Sequence, residues 1–480
     1  MKTKNELNRR DFLSFLGASA LSAVLQGGCG KEDNSADKLF KRTKPTNLKV
    51  LVIGIDGATL DIIEPMVKAS KLGQFKHLMD TGTYAKLRSQ KPMLSPALWT
   101  TIATGHNRNR HNITHFLTPT SYGSQTPELI STLDRKTVAL WNIVSCFGKK
   151  AGVIGWWVTW PAESVPSYIV SDRAAHSRWR TWTNNKENTH LTFPSGLFEQ
   201  IKHLVVNPIN PPMEEIEKLV ELTDTEKAEM LAAKKPIFAH GLSVSKFGYC
   251  AQRSYESIAL HMLERGQPDM SMIFLIAVDP ICHTFWHYYK PEQFPGGIEI
   301  DKARRLGKFV PAIYEHNNHY LSKLLPKIDV NTVVIVASDH GFQGSGRLPG
   351  QTNIVDYRPL GINRIEKLQR PVTVGMSGIH HIDGTFIATG GPIIPGAEFR
   401  TQPSIADVTP TILALLGLPV GKDMAGRVLE EIIEPKFLAE HPVNYVDSYE
   451  NYIKHQQFEG VVDVAEDKQL EYLRSLGYIK

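Results

Sequence analysis

Short runs of Val, Ile and Leu, each stopped by a turn residue or a charged group, recur along this chain from residue 48 onward. VLVIGID ends at Asp56, MIFLIAVD at Asp279 and TVVIVASDH at Asp339-His340. Apolar runs of this length bounded by turn signals read as strands buried on both faces. The pattern predicts strands over 49–56, 85–89, 151–156, 168–171, 270–279, 332–338 and 384–389. Between them, helical periodicity predicts helices over 133–147 and 251–265, closed by Gly148 and Gly266, and over 302–325 and 405–416. Strands alternating with helices imply an α/β fold, a three-layer α/β/α sandwich around a mostly parallel sheet. Residues 177–249 break the rhythm with polar loops, Pro208, Pro211 and Pro212, and a charged helix over 214–222. This section reads as an inserted cap over the strand edge, where selectivity usually resides.

Composition narrows the class. The 480 residues, 42% apolar and 21% charged, suit a globular body with a large core. The net charge of +5 is small for this length and lies partly in Lys2, Lys4, Arg9 and Arg10. No basic stripe with interleaved aromatics is present, so a nucleic-acid polymer is not an expected partner.

The first thirty residues have the layout of an export signal: a charged stretch through Arg9-Arg10-Asp11-Phe12-Leu13, a weakly apolar segment to Leu25, then Gly27-Gly28-Cys29. The paired arginines followed by Phe-Leu resemble a twin-arginine signal, and Cys29 after Gly28 resembles a bacterial lipoprotein acylation site. The expectation is an exported protein, periplasmic or in the cell envelope, with membrane contact through a lipid on Cys29. A plain cleaved signal or an uncleaved anchor is the alternative. A polar tether over 31–46 would lead to a catalytic domain over 47–435, with a C-terminal extension over 436–480. Cys146, Cys250 and Cys282 are irregularly spaced with no CxxC, so neither a disulfide framework nor a thiolate zinc site is indicated, and Cys282 reads as a small buried apolar residue.

Ligands in open α/β sheets bind outside the carboxyl ends of the strands. Asp56, Asp279, Asp339 and His340 stop runs at that edge. His283 follows Asp279 by four residues, and His380 stands just before the run TFIATGG. Six such groups converging on one edge point to a metal site. Ser95 opens a second motif, with Ser at a helix N-cap, Pro96 at the first helical position and Gly105 closing the segment. A helix N-terminus suits phosphate, and a serine there can serve as a nucleophile where a metal lowers its hydroxyl pKa. Most Ser-Pro pairs are simply caps, so the metal constellation is what raises this one. Trp156, Trp157 and Trp160 follow a strand, where they either line the pocket or pack in the core. His106, His111 and His115 fit no tidy helical face and are better read as structural; His287 and His381 are bystanders of His283 and His380.

The ordered series Asp56-Gly57, Ser95 with Thr101-Ile102-Ala103-Thr104-Gly105 downstream, Asp279 with His283, Asp339-His340-Gly341, and Gly378-Ile379-His380 resembles the alkaline phosphatase superfamily. It is most similar to the type I phosphodiesterase/nucleotide pyrophosphatase branch. The resemblance implies an alkaline phosphatase-like fold and two divalent ions, usually zinc, with manganese or iron as alternatives. Asp56, Asp339 and His340 would hold one ion beside the nucleophile Ser95; Asp279, His283 and His380 would hold the other. Hydrolysis of a small phosphate ester would then pass in line through a covalent phosphoserine. Two departures matter. The branch often carries Asn shortly after the nucleophile, whereas Pro96-Ala97-Leu98 offers no amide, leaving the backbone N–H groups of the helix start as substitutes. Sulfatases of the superfamily need Pro two residues after the modified residue and Arg two further on; here Pro96 follows at once and Trp99 stands in the Arg position, which disfavours a formylglycine enzyme. The reading is a phosphodiesterase. A monoesterase, phosphonate hydrolase or phospholipid-headgroup hydrolase on the same site is the enzymatic alternative. A non-catalytic binding lipoprotein that keeps the fold is the alternative of another class.

Overall fold

The structure, a computed structural model, describes residues 43–118, 128–175, 190–234, 241–348, 352–354, 371–373 and 376–458. The export signal with Cys29, most of the tether and the end of the C-terminal extension lie outside these residues.

Strand β1 (Lys49–Ile55) is buried along nearly its whole length because it has strands on both sides. The sheet of eight runs in the order β2 (Gly82–Arg88), β10 (Asp383–Thr389), β7 (Thr332–Ala337), β1, β6 (Met270–Leu275), β3 (Ala151–Ile154), β4 (Tyr168–Val170), β5 (Thr192–Phe193). β1 pairs parallel with both β6 and β7, and β3 pairs parallel with β6 and β4. Only β10 and the edge strand β5 run against the rest. Two further strands, β8 (Gly341–Gly344) and β9 (Gly378–His381), form an antiparallel pair beyond the end of β7. The helices flanking the sheet include α1 (Ser95–Thr104), α2 (Leu140–Cys146), α3 (Gly241–Glu264), α4 (Val278–Tyr289), α5 (Ile300–Leu306), α6 (Phe309–Leu324) and α7 (Val408–Leu415). Among them α3, α4 and α6 pack on one another, and α1 packs on α7. The α/β fold with a large, mostly parallel sheet is therefore as the alternating pattern implies.

Element ends differ most from the sequence pattern in four places. The run predicted as strand 270–279 stops at Leu275, and Asp279 belongs to the first turn of α4, where Pro280 is tolerated and an acidic residue complements the helix dipole. The predicted helix 302–325 breaks at Gly307, where a Cβ would lie 2.4 Å from the carbonyl oxygen of Tyr288, so α4 packs against bare backbone there. The predicted helix 133–147 begins only at Leu140; the stretch before it is a tight turn capped by Ser131, whose hydroxyl and N–H both bond Asp134. Helix α3 starts ten residues before the predicted 251; its first turns bury Val244 and Phe247 in the core and set Ser245 and Gly248 against Thr284 and Pro280 of α4. Within the inserted section, the described residues add β5 and the helices Leu197–Ile201, Met213–Leu219 and Asp224–Ala232.

Candidate active site

The sheet topology sets the site. β1, β6 and β7 are neighbours, so the segments leaving their carboxyl ends emerge side by side. Asp56 follows β1, and its N–H bonds the carbonyl of Leu275 at the end of β6 at 2.9 Å. Gly57 then turns the chain with φ of +74°, and a Cβ at this position would sit 2.3 Å from Phe342 Cε2. Only glycine fits such a left-handed, crowded position. Asp339 and His340 follow β7, with the Ser338 hydroxyl donating to the His340 carbonyl at 2.8 Å. On α4, Asp279 and His283 stand one turn apart and so share a face. The β8–β9 register places His380 opposite Phe342. The Phe342 ring packs edge-on against His283, His340 and His380, with centroids 4.8, 5.6 and 5.5 Å away. It is the apolar wedge around which the three imidazoles are arranged.

Two clusters result. Asp56, Asp339 and His340 each offer one donor atom, and these atoms lie within 4.8 Å of one another; the same holds for Asp279, His283 and His380. In the first, His340 Nε2 lies 3.6 Å from Asp56 Oδ1 and 3.6 Å from Asp339 Oδ2. In the second, Asp279 Oδ1 lies 3.2 Å from His283 Nε2 and 3.3 Å from His380 Nε2. The clusters adjoin, since His340 Nε2 is 3.9 Å from Asp279 Oδ1 and the His340 and His380 rings stack at 3.6 Å.

Hydrogen bonding fixes which ring nitrogen faces inward. His283 Nδ1 bonds the Gly378 carbonyl at 2.8 Å, His340 Nδ1 the Gly341 carbonyl at 3.1 Å, and His380 Nδ1 the Met93 carbonyl at 3.1 Å. A carbonyl only accepts, so each Nδ1 carries the proton and each Nε2 presents a lone pair to the centre. Two such lone pairs, on His283 and His380, face each other at 2.9 Å. His340 Nε2 and Asp339 Oδ2 are buried and have no hydrogen-bond partner among the described residues. Burial, reinforced by the charges of Asp56 and Asp279, pushes the Asp339 carboxyl well above the usual carboxylate range. Burial foremost, then the neighbouring His380, drives His340 well below the ordinary imidazole value, and burial lowers His380 too. Aspartates crowded against neutral imidazoles whose lone pairs point inward are suited to cations. The mixed oxygen and nitrogen donors suit zinc better than a hard ion such as magnesium.

Ser95 lies one position further into α1 than the sequence suggests. The cap is Leu94, whose carbonyl accepts the N–H of Ala97 at 2.9 Å and of Leu98 at 3.1 Å. The Ser95 hydroxyl is therefore not the N-cap side chain, which removes the commonest bland reading of a Ser-Pro pair. The same bonds revise the substitution expected for the missing amide: Pro96 has no N–H and those of Ala97 and Leu98 are taken, so the first turn offers at most that of Ser95. Ser95 is tied to the clusters through Met93, two residues earlier, whose carbonyl holds His380.

His111, His287 and His381 belong to neither cluster and have hydrogen-bond partners of their own. His111 is fully buried, accepts the Ile113 N–H at Nδ1 (3.1 Å) and so donates from Nε2 to Thr101 Oγ1 (3.0 Å). Burial pushes it down to about 3. His287 is bonded to the Ser377 hydroxyl at 2.8 Å and is lowered by burial to about 4. His381 Nδ1 accepts the Asp383 N–H at 3.2 Å. Trp156 is a core residue donating to the Trp99 carbonyl at 3.1 Å, while Trp157 lines a cavity with Phe116, Tyr255, Phe274 and Arg173. Cys282 is fully buried on α4. Sequence reasoning missed the carbonyls of Met93, Gly341 and Gly378, because a backbone acceptor leaves no mark in residue type.

A mostly parallel α/β sheet carrying two adjoining carboxylate–imidazole clusters at its strand ends is the build of a metal-dependent hydrolase. Residues 50–366 match the type I phosphodiesterase / nucleotide pyrophosphatase family; the chain belongs to it and is a phosphoric ester hydrolase. The matched span holds Asp56, Ser95, Asp279, His283, Asp339 and His340, whereas His380 lies beyond it. No curated protein sequence matches the chain. Solved structures similar to it include wild type alkaline phosphatase PafA, at 13% identity over 81% of this chain and 100% of that one, with a TM-score of 0.46. A 2-O GAG sulfatase is 11% identical over 84% of this chain and 76% of its own, with a TM-score of 0.46. Phosphonoacetate hydrolase from Sinorhizobium meliloti 1021 is 12% identical over 66% and 62%, with a TM-score of 0.38. At these scores the likenesses do not extend the family assignment.

Proposed function

We propose that the protein cleaves small phosphodiesters by in-line attack of Ser95, with Asp56, Asp339 and His340 holding one divalent ion and Asp279, His283 and His380 a second. The observation that carries this reading is the common tautomer of the three histidines, each with Nδ1 spent on a carbonyl and Nε2 turned inward. When bound, the ions supply Lewis acidity and charge neutralisation at phosphorus; zinc is the identity the donors favour. The chain's own groups supply the rest. Ser95 Oγ forms the new bond to phosphorus as the bond to the leaving oxygen breaks, and water then cleaves the phosphoserine. Met93 couples the two halves, since one short segment both presents Ser95 and fixes His380. Export through the N-terminal signal and a lipid on Cys29 belong to the same proposal and put the substrate outside the cytoplasm.

The test is a comparison of zinc-loaded protein on bis-(p-nitrophenyl) phosphate and on p-nitrophenyl phosphate. A higher kcat/KM on the diester is expected. Preference for the monoester would refute the diesterase assignment while leaving the Ser95 chemistry standing.

A further inference from the structure

Helix α4 carries Asp279 and His283, yet its start has no capping side chain of its own: the cap residue is Ala277, and Pro280 removes one N–H from the first turn. The missing acceptor comes from another helix. Gln252 on α3 is fully buried, and its Oε1 accepts the Ala277 N–H at 2.8 Å. A backbone N–H can only donate, so the amide orientation is fixed and Nε2 must donate. Its two protons go to Glu256 Oε1 at 2.9 Å and Asn317 Oδ1 at 2.7 Å. Glu256 is held in turn by His316 Nε2 at 2.9 Å and Arg253 Nη1 at 2.8 Å. Arg253 reaches Glu215 on the helix Met213–Leu219 through Nε at 2.7 Å.

We propose that Gln252 is a positioning residue for the cluster Asp279, His283 and His380, an inference that rests on the metal-binding reading of that cluster. The hydrogen bonds of Gln252 go to Ala277, Glu256 and Asn317, none of them a ligand. It pins the residue from which α4 starts, and α4 supplies two of the three ligands while β9 supplies the third. A shift of α4 relative to β9 therefore spoils this cluster. Asp56, Asp339 and His340 leave β1 and β7 and do not depend on α4. The effect is selective for one cluster, which a generally destabilising substitution would not be.

The test is competition titration of the metal-free full chain with zinc against a chromophoric chelator. The native protein is expected to bind two equivalents. Gln252→Leu should weaken one equivalent by about 10- to 100-fold, the range seen when a group supporting a metal ligand is removed, and leave the other unchanged. Two equivalents bound as in the native protein, or both weakened alike, would overturn the proposal. Gln252→Asn, too short to reach Ala277, carries the same expectations where Gln252→Leu does not fold. A native protein that binds no zinc would instead overturn the metal reading beneath.

Discussion

Removal of one imidazole should subtract one metal's worth of the stabilisation that zinc confers and no more. His283→Ala takes away the donor to the Gly378 carbonyl, a bond of 2.8 Å from a side chain 4% exposed. Leaving that carbonyl without its partner costs about 1–3 kcal/mol in the metal-free protein. Zinc in thousandfold excess over its dissociation constant adds about 4 kcal/mol per site to a folded state that binds it. Unfolding entropy of about 2.1 cal/mol/K per residue makes about 1 kcal/mol equal to about 1 °C for a chain of 480 residues. Zinc should then raise the native Tm by roughly 8 °C and that of His283→Ala by roughly 4 °C. The informative quantity is this difference of differences, read by scanning calorimetry with and without metal, because the fold's own loss cancels. An identical zinc increment in both proteins would show that His283 is no ligand. Loss of the whole increment would show that the two clusters act as one site, and the two-metal reasoning would fail.

Three other outcomes follow from the same geometry. Ser95→Ala should lower kcat by about 10³- to 10⁶-fold, as loss of a nucleophile does, while the zinc increment in Tm persists; turnover at the native rate in purified protein would remove Ser95 from the mechanism. Gly57→Ala forces a left-handed residue against Phe342 and should cost at least about 1–2 kcal/mol with weakened zinc binding, because Phe342 supports all three imidazoles; unchanged denaturant midpoints would contradict this. His111, lowered by burial to about 3 from an ordinary 6.5 in the unfolded chain, binds its proton more tightly when unfolded. Its stabilisation is complete above about pH 6.5 and is lost toward pH 3 at up to about 1.4 kcal/mol per unit, so His111→Gln should flatten the pH dependence of metal-free stability in that window. An unaltered slope would rule out His111 as a contributor.

The sheet was legible because its central strands are buried on both faces and so need runs of apolar residues; β1, β6 and β7 advertise themselves in this way. Where local preference and tertiary packing diverged, the pattern misled. Gly307 looks like one glycine inside an amphipathic helix, and only the Tyr288 carbonyl pressed against it shows why the helix divides there. The first turns of α3 blur their apolar period because serine, lysine and glycine are buried there beside Val244 and Phe247. The edge strand β5 is two residues long and half-covered, too short to leave a pattern.

The six ligand candidates were legible for a different reason: charged residues that end apolar runs have one place to go in an open parallel sheet, and topology brings the ends of β1, β6 and β7 together. Their protonation was not legible. Whether His283, His340 and His380 present lone pairs or protons to the centre depends on the carbonyls of Gly378, Gly341 and Met93, which are set by the β8–β9 pairing and by the turn before α1. The same carbonyls explain why the clusters suit cations. With all three Nδ1 protons spent outward, the three imidazoles turn only acceptors inward, and buried acceptors 2.9 Å apart are stable only with positive charge between them. A proton satisfies one such pair; adjoining pairs shared with three aspartates call for ions of higher charge.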